Sequence, residues 1–361
     1  MQTKSKPKGL AIIGREIKRP FLAYRNTLKK INTLRLADEQ IRHFFGESNE
    51  ISKGIDSVIR FYRWSAILGR GPARLFVSDP FPGPRHLHNY FWLFSRHLGI
   101  DLKKEIRVTD EALILDDIKL PLPPNKSDDE AMLVSELHDI VFPSYLRRKY
   151  ESFDRYSIIM ENHLNDYLEG PYEYGDVCLK EGDVVFDCGA NKGVFSAVAG
   201  RYGARVFAFE PIPETIENYL LKTAEMNPNI RVFHYAIWDK EETLNFSLLV
   251  DHISGSRCDQ LLQKSQLQEK RKQVAVPAIT LDAFVEQNGI ERVDFIKADI
   301  EGAERNMLRG ATRILREFAP KLSICTYHLP DDPQVLRELI LEANPRYQIV
   351  EKFQKMYAHV P

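Results

Sequence analysis

From residue 184 onward the chain repeats one pattern. Short runs of β-branched and aromatic residues are bounded by turn formers, and each is followed by a stretch with apolar positions at helical spacing. The runs are 184–186 (VVF), 205–210 (RVFAFE), 229–235 (NIRVFHY), 293–298 (VDFIKA) and 322–327 (LSICTY). They lack a polar alternation, which is how strands read when a parallel sheet is covered on both faces. The stretches between them predict helices over 194–202, 214–226, 304–318 and 333–343. In the third of these, Met307, Leu308, Ala311, Ile314 and Leu315 share one face. Residues 347–350 and 357–360 supply the final strands, so the repeated units predict a wound α/β fold. Between the third and fourth runs, 236–250 reads as a hairpin turning at 239–242. The polar stretch 252–273 reads as a mobile loop or short helix, with 274–276 and 280–287 following it.

The first part of the chain follows another pattern. Ile12, Ile13, Ile17, Phe21, Leu22, Leu28 and Ile31 recur at helical spacing, with Lys and Arg between them, and a further helix is expected over 55–68. Short strand-like runs follow at 74–77, 105–108, 112–115 and 118–122, with an aromatic-rich helix over 88–98. The segment PLPPNKSDDE at 121–130 is the best linker in the chain. The expected division is an accessory region over 1–125, helical and then small α/β, and a larger domain over 126–361.

Composition narrows the classes. The chain has 361 residues, 43% hydrophobic and 28% charged, with a formal net charge of -1, so nothing at whole-chain level points to nucleic acid. No apolar run approaches the roughly 20 residues that span a bilayer, and the apolar run near the N-terminus is too short for a secretory signal. Cys178, Cys188, Cys258 and Cys325 are scattered without a CxxC pair, as expected of small core residues in a reducing, cytoplasmic setting. The basic N-terminus reads chiefly as a solvated face. The sharper expectation there is peripheral contact with an anionic membrane or a partner, and the N-terminal region is a candidate surface for oligomerisation.

Chemistry concentrates where the runs end, because ligands of open α/β sheets bind at the carboxyl ends of the strands. Asp187 ends the first run, Glu210 the second and Asp299 the fourth; Ala236, Ile237 and Trp238 follow the third, and His328 follows the fifth. After the first run stands Asp187-x-Gly189-Ala190-Asn191-x-Gly193, a small-residue turn opening a helix. A dinucleotide fold would show GxGxxG there. An acid before the first glycine would repel a pyrophosphate and suits the ammonium of S-adenosylmethionine. Glu210, about 20 residues past the turn, is placed to accept from both hydroxyls of a ribose. That spacing alone fits a nicotinamide dinucleotide equally. Tyr172 and Tyr174, in the turn just before the first strand, are further candidate contacts. In VDFIKADIEGAE, Asp299 and Glu301 stand where cofactor and acceptor would meet. Glu304 reads as a helix first-turn acid, and His328 reads equally as a proton acceptor or as a structural residue of its turn. No histidine, cysteine or carboxylate set shows a metal-ligand spacing, so no metal is expected, and one at Asp299 and His328 stays open.

DVVFDCGANKGVFS, RVFAFEPIPE, AITLDAF and VDFIKADIEGAERNMLRGA, in this order, resemble the FkbM-type methyltransferase family over roughly 165–361. The resemblance implies a Rossmann-like class I methyltransferase with a seven-stranded, mostly parallel sheet. It implies S-adenosylmethionine as cofactor and a hydroxyl of a sugar, glycan or secondary metabolite as acceptor. Carried over by position, Asp187, Gly189, Asn191, Gly193 and Glu210 would bind the cofactor, and Asp299 and Glu301 would lie at the reaction centre; from their places at the turn and strand ends, Ala190, Ala236 and Trp238 are further candidate cofactor contacts and His328 a further candidate catalytic residue. Two other readings stay open on the residues alone: a nicotinamide-dependent oxidoreductase or epimerase, and a methyltransferase fold kept as a non-catalytic binding subunit.

Overall fold

The computed structural model describes residues 106–115, 117–122, 171–249, 252–258 and 271–361, with scattered helical positions between 31 and 63. The expected strand at 74–77, the helix at 88–98 and the basic stretch before residue 31 lie outside the described residues. Ile31 and Ile59 are buried on helices, as their spacing predicts, and Arg42 bridges Asp38 at 2.7 Å and Asp56 at 3.3 Å. Among the described residues no helix is long and apolar enough to cross a membrane.

Strands β1 (Ile106–Val108), β2 (Ala112–Leu115) and β3 (Ile118–Pro121) form a small antiparallel sheet. The large sheet begins with β4 (Val184–Cys188), helix α1 (Val194–Arg201) and β5 (Arg205–Phe209). Helix α2 starts at Pro213–Thr215, widens to a π turn over Ile216–Leu220 and resumes over Leu221–Met226, leading into β6 (Ile230–Phe233). A second sheet follows, from β7 (Ala236–Ile237), β8 (Glu242–Leu249), β9 (His252–Cys258) and β10 (Arg271–Ile279). Helix α3 (Leu281–Gln287), β11 (Phe295–Ala298), α4 (Glu304–Arg309), α5 (Thr312–Glu317), β12 (Lys321–Cys325), α6 (Asp332–Ala343), β13 (Gln348–Lys352) and β14 (Lys355–His359) complete the chain.

The large sheet has seven strands in the order β13-β14-β12-β11-β4-β5-β6. β6, β5, β4, β11 and β12 run parallel, and β14 lies antiparallel to both β12 and β13. The expected seven-stranded, mostly parallel architecture is therefore present. Its core holds an aromatic cluster: Phe284 on α3 meets Phe209 edge-on at 4.7 Å between centroids and Phe233 at 4.8 Å, with Phe186 and Phe207 within 6.0 Å. Phe284 is fully buried, so Phe284→Ala should cost about 3–5 kcal/mol. Denaturant titration checks this; a loss below about 1 kcal/mol would mean that the cluster collapses around the void.

The small sheet belongs with this core. Asn227, just after α2, donates to the Lys119 carbonyl on β3 at 2.9 Å, and Arg201 of α1 lies 3.1 Å from Asp117. The chain divides by contacts into 1–100 with 152–167, and 101–151 with 168–361, which places β1–β3 in the same unit as the large sheet.

Three local readings change. Residues 236–250 are not a self-contained hairpin: β7 pairs in parallel with β10, and β8 pairs antiparallel with β10 and β9. Residues 252–258, read as loop, form strand β9. This strand is the edge of the second sheet, in the order β7-β10-β8-β9, and an edge needs no apolar run. The single helix expected over 304–318 is two, broken at Gly310. A Cβ there would stand 2.3 Å from the Trp238 carbonyl, so the chain after β7 packs directly against the break. The new helix start is met by Asp282, whose carboxylate accepts from the Arg313 and Ile314 amides at 2.8 and 2.9 Å.

Candidate functional site

β4 and β11 are parallel neighbours, yet the chain leaves β4 toward β5 on one side and leaves β11 toward β12 on the other. That reversal opens a crevice at the carboxyl ends, where open sheets bind ligands. The turn after β4 is built for close approach. Gly189, Asn191 and Gly193 all have positive φ, at 75°, 50° and 83°. The Gly189 and Ala190 amides both donate to the Phe209 carbonyl, folding the turn over the end of β5.

Glu210 braces the same turn from β5. Its Oε2 accepts from the Asn191 amide and its Oε1 from the Ile212 amide, both at 2.9 Å. Burial pushes the carboxyl up to about 7, against the pull of those two amides and of the Lys297 charge. Each oxygen keeps a further lone pair for another donor.

Asp187 faces inward. It is fully buried, Ser196 donates to its Oδ2 at 2.6 Å, and the Lys297 ammonium lies 3.0 Å from its Oδ1. Strand register brings this about, because Asp187 and Lys297 are directly paired across β4 and β11. Lys297 also donates to the Gly189 carbonyl at 2.6 Å, tying ion pair and turn together. Burial lowers its pKa, but Asp187 and Asp299 outweigh that and hold it above the ordinary lysine value.

Beyond β11, Asp299, Glu301 and Glu304 converge on His328. Glu304 is completely buried; its Oε1 accepts from the Ile300 amide at 2.9 Å and lies 3.0 Å from His328 Nδ1. His328 Nε2 faces the opposite way, 3.6 Å from Asp299 Oδ1 and 3.7 Å from Glu301 Oε2. The imidazole side chain is only 2% exposed. Burial pulls its pKa down, yet the hydrogen bond and charge of Glu304, then Asp299 and Glu301, raise it overall. Asp299 Oδ2 accepts from the Tyr172 hydroxyl at 2.8 Å and Oδ1 from Tyr327 at 3.3 Å. Burial favours the neutral acid at Asp299, but Lys297, His328 and Lys355 together hold its pKa below the usual carboxylate range. Glu301 has φ 57°, a strained backbone for a non-glycine residue, and Gly302 follows at 104°. The His328 turn is anchored to α4 by Arg305, which donates to both Asp331 and Asp332 at 2.6 Å.

The fold thus gathers Gly189, Ala190, Asn191, Gly193, Glu210, Asp299, Glu301 and His328 around the crevice, whereas Asp187, expected to meet the cofactor's ammonium, is completely buried beneath the turn in its pair with Lys297. Ala236 and Trp238 instead pack in an apolar cluster with Ile212, Leu244, Phe246 and Ala303 beside it. Lys297 and Ser196 were missed. Neither is adjacent to Asp187 in sequence, and only the pairing of β4 with β11 makes a lysine inside an apolar strand legible. The first-turn reading of Glu304 holds, but its pairing with His328 is new. The expectation of no metal meets one cluster among the described residues: Asp299, Glu304 and His328 place ligand atoms within 4.8 Å of one another.

Residues 187–358 match the family described as Methyltransferase FkbM domain. The chain is 23% identical over 172 residues to the hexuronic acid methyltransferase AglP of Haloferax volcanii, covering 48% of this chain and 67% of that protein. It is 26% identical over 157 residues to the 31-O-demethyl-FK506 methyltransferase FkbM of Streptomyces tacrolimicus, covering 37% of this chain and 60% of that protein. Among solved structures, methyltransferase FkbM from Methylobacillus flagellatus is similar at 20% identity and a TM-score of 0.40, over 80% of this chain and 71% of its own.

Proposed function

We propose that the chain, whose residues 187–358 match the methyltransferase FkbM domain family, transfers a methyl group from S-adenosylmethionine to a hydroxyl of a sugar, glycan or secondary metabolite. The observation that carries this reading is the crevice between β4 and β11, with a positive-φ glycine turn on one side and the carboxylate–histidine cluster on the other. The donor set fits the cofactor's chemistry: acids suit a sulfonium and an ammonium, and Glu210 has lone pairs to spare for a ribose diol. The relatives named as acting on a hexuronic acid and on 31-O-demethyl-FK506 support an oxygen acceptor.

The bound cofactor supplies an electrophilic methyl for in-line displacement. The chain's own residues then have two tasks. The turn at 189–193 and Glu210 hold the nucleoside end, while Asp187, paired with Lys297, sets the position of that turn. Asp299, oriented by Tyr172, and His328, oriented by Glu304, face the crevice where an acceptor hydroxyl must be positioned and its proton received. Glu301 borders the same space from its strained turn.

Calorimetry with S-adenosylhomocysteine tests the cofactor assignment. The wild type should bind and Glu210→Ala should not. Equal affinity in both would remove Glu210, and no binding by the wild type would sink the assignment. Labelled methyl transfer to a panel of hexuronic acids and other sugars tests the acceptor. There, Asp299→Asn should lower turnover by about 100-fold or more with little change in cofactor affinity.

The pH dependence carries a sign. Glu210 is raised from 4.5 to about 7, so the folded protein without ligand keeps this proton longer than the unfolded chain does. That contribution to stability is present at low pH and is lost as pH rises toward 7. Ribose hydroxyls prefer the carboxylate, so affinity for S-adenosylhomocysteine should rise between about pH 6 and about pH 8. Glu210→Gln should flatten that rise; an unchanged slope would assign it to another group.

A further inference from the structure

We propose that the edge of the crevice beside Asp299 is a pyranose site, in which Tyr327 carries the apolar face of a sugar that bears no anionic group. The role of that sugar as methyl acceptor rests on the reading above; its binding does not. Tyr327 stands just past β12 and is 41% exposed, the one exposed large aromatic side chain among the described residues. Its hydroxyl donates to Asp299 Oδ1 at 3.3 Å, and its ring lies against the His328 imidazole, with centroids 4.3 Å apart at 43°. An aromatic ring tied down at its hydroxyl and still exposed is a preformed surface. A ligand lying on it meets little of the cost of ordering a side chain.

A sugar joins an apolar C–H face to a rim of hydroxyls, and the groups beside Tyr327 match that rim. His328 Nε2 is buried and makes no hydrogen bond among the described residues. Asp299 Oδ1 and Glu301 Oε2 flank it at 3.6 and 3.7 Å. A hydroxyl both donates and accepts, so one placed here serves the imidazole in either protonation state and can donate to a carboxylate. Glu301 holds its side chain over this space from a backbone at φ 57°, a conformation that clusters at ligand sites.

Charge decides the class of sugar. The accessible groups are the two carboxyls, with the Asp299 and Glu301 side chains 24% and 36% exposed. The cations lie behind them. Lys297 is buried against Asp187, and Lys355 is completely buried with its ammonium 4.5 Å from the centre of the Tyr172 ring. Arg305 is engaged by Asp331 and Asp332. Burial favours the neutral acid at Asp299, yet Lys297, His328 and Lys355 hold it below the usual carboxylate range, so it is charged at neutral pH. A uronate would bring its own charge against this acidic face, and like charges brought together select against a partner. Neutral and amino sugars meet no such barrier.

Saturation-transfer NMR on the full chain, with and without S-adenosylhomocysteine, tests the site. The probes are the methyl glycosides of glucose, galactose and mannose, each beside the uronic acid of the same configuration. At least one neutral glycoside should bind, and its uronic acid should bind about 10-fold or more weakly. Tyr327→Leu should weaken the neutral sugar by about 10-fold, with the loss in KM and not in kcat where methyl transfer is followed; Tyr327→Phe should stay within about 3-fold. Glu301→Gln should narrow the gap between neutral and uronic sugars by about fivefold. Equal losses in the Leu and Phe variants would mean that the hydroxyl's hold on Asp299 matters and the ring does not, which overturns the platform. A uronic acid bound as well as its neutral partner, or a gap unchanged in Glu301→Gln, overturns the exclusion of anions. Calorimetry with S-adenosylhomocysteine runs in parallel. Binding of it with no sugar bound rejects only the pyranose site, and Tyr327-dependent sugar binding without it rejects only the cofactor.

Discussion

Lys297→Met is expected to destabilise the large domain by about 3–5 kcal/mol, lowering its denaturant midpoint without changing the slope. The lysine is almost fully buried in the middle of a strand whose neighbours are apolar. Its ammonium neutralises Asp187 at 3.0 Å and donates to the Gly189 carbonyl at 2.6 Å. Methionine fills the same volume but leaves a completely buried carboxylate with Ser196 as its one side-chain hydrogen-bonded partner among the described residues. The loss is therefore the cost of an uncompensated charge and not of a cavity. A second change, Asp187→Asn, should recover a large part of it, because the remaining amide needs no counter-charge. A double-mutant cycle reads this directly. If the two losses simply add, the pair is not coupled and the register argument for this site fails. A total stability of about 5–15 kcal/mol would leave the single variant close to unfolding at moderate temperature.

That prediction also shows where the sequence was legible and where it was not. The strands of the large sheet were readable because parallel strands buried on both faces leave apolar runs, as in VVF at 184–186. The strand-end acids were readable because the carboxyl edge of such a sheet is where ligands approach. Lys297 was present in VDFIKADIEGAE, but a lysine inside a strand has no local meaning. Its partner lies 110 residues earlier in the chain, and only strand register puts the two side by side. His328 and Glu304 raise the same difficulty. The helix-start position of Glu304 was readable, and its contact with the imidazole needed the return of the chain through α5 and β12. Strand β9 escaped notice because HISGSRC at 252–258 is no apolar run, and an edge strand needs none. The break at Gly310 escaped because its cause, the Trp238 carbonyl, comes from another element.

Gly189→Ala is expected to abolish binding of S-adenosylhomocysteine and to cost at least about 2 kcal/mol of stability. Two effects combine. The residue sits at φ 75°, where an L side chain is strained. An added Cβ would also stand 2.0 Å from the Asp299 carbonyl oxygen and 3.0 Å from Ile300 Cγ2. Neither is the free end of a flexible chain, so the ends of β4 and β11 must separate. Asp299 would then move away from Tyr172 and His328, and the Asn191 amide would move away from Glu210. A displacement of about 1 Å at a reaction centre lowers turnover by about 100-fold even if the cofactor still binds. Gly182→Ala supplies the comparison: it has φ 79° but nothing within 4 Å of an added Cβ. It should cost only the conformational strain, about 1 kcal/mol, and leave ligand affinity unchanged. If Gly189→Ala retained wild-type affinity, the contact between the two strand ends would not be what shapes the crevice. If Gly182→Ala lost affinity equally, strain alone would explain both variants.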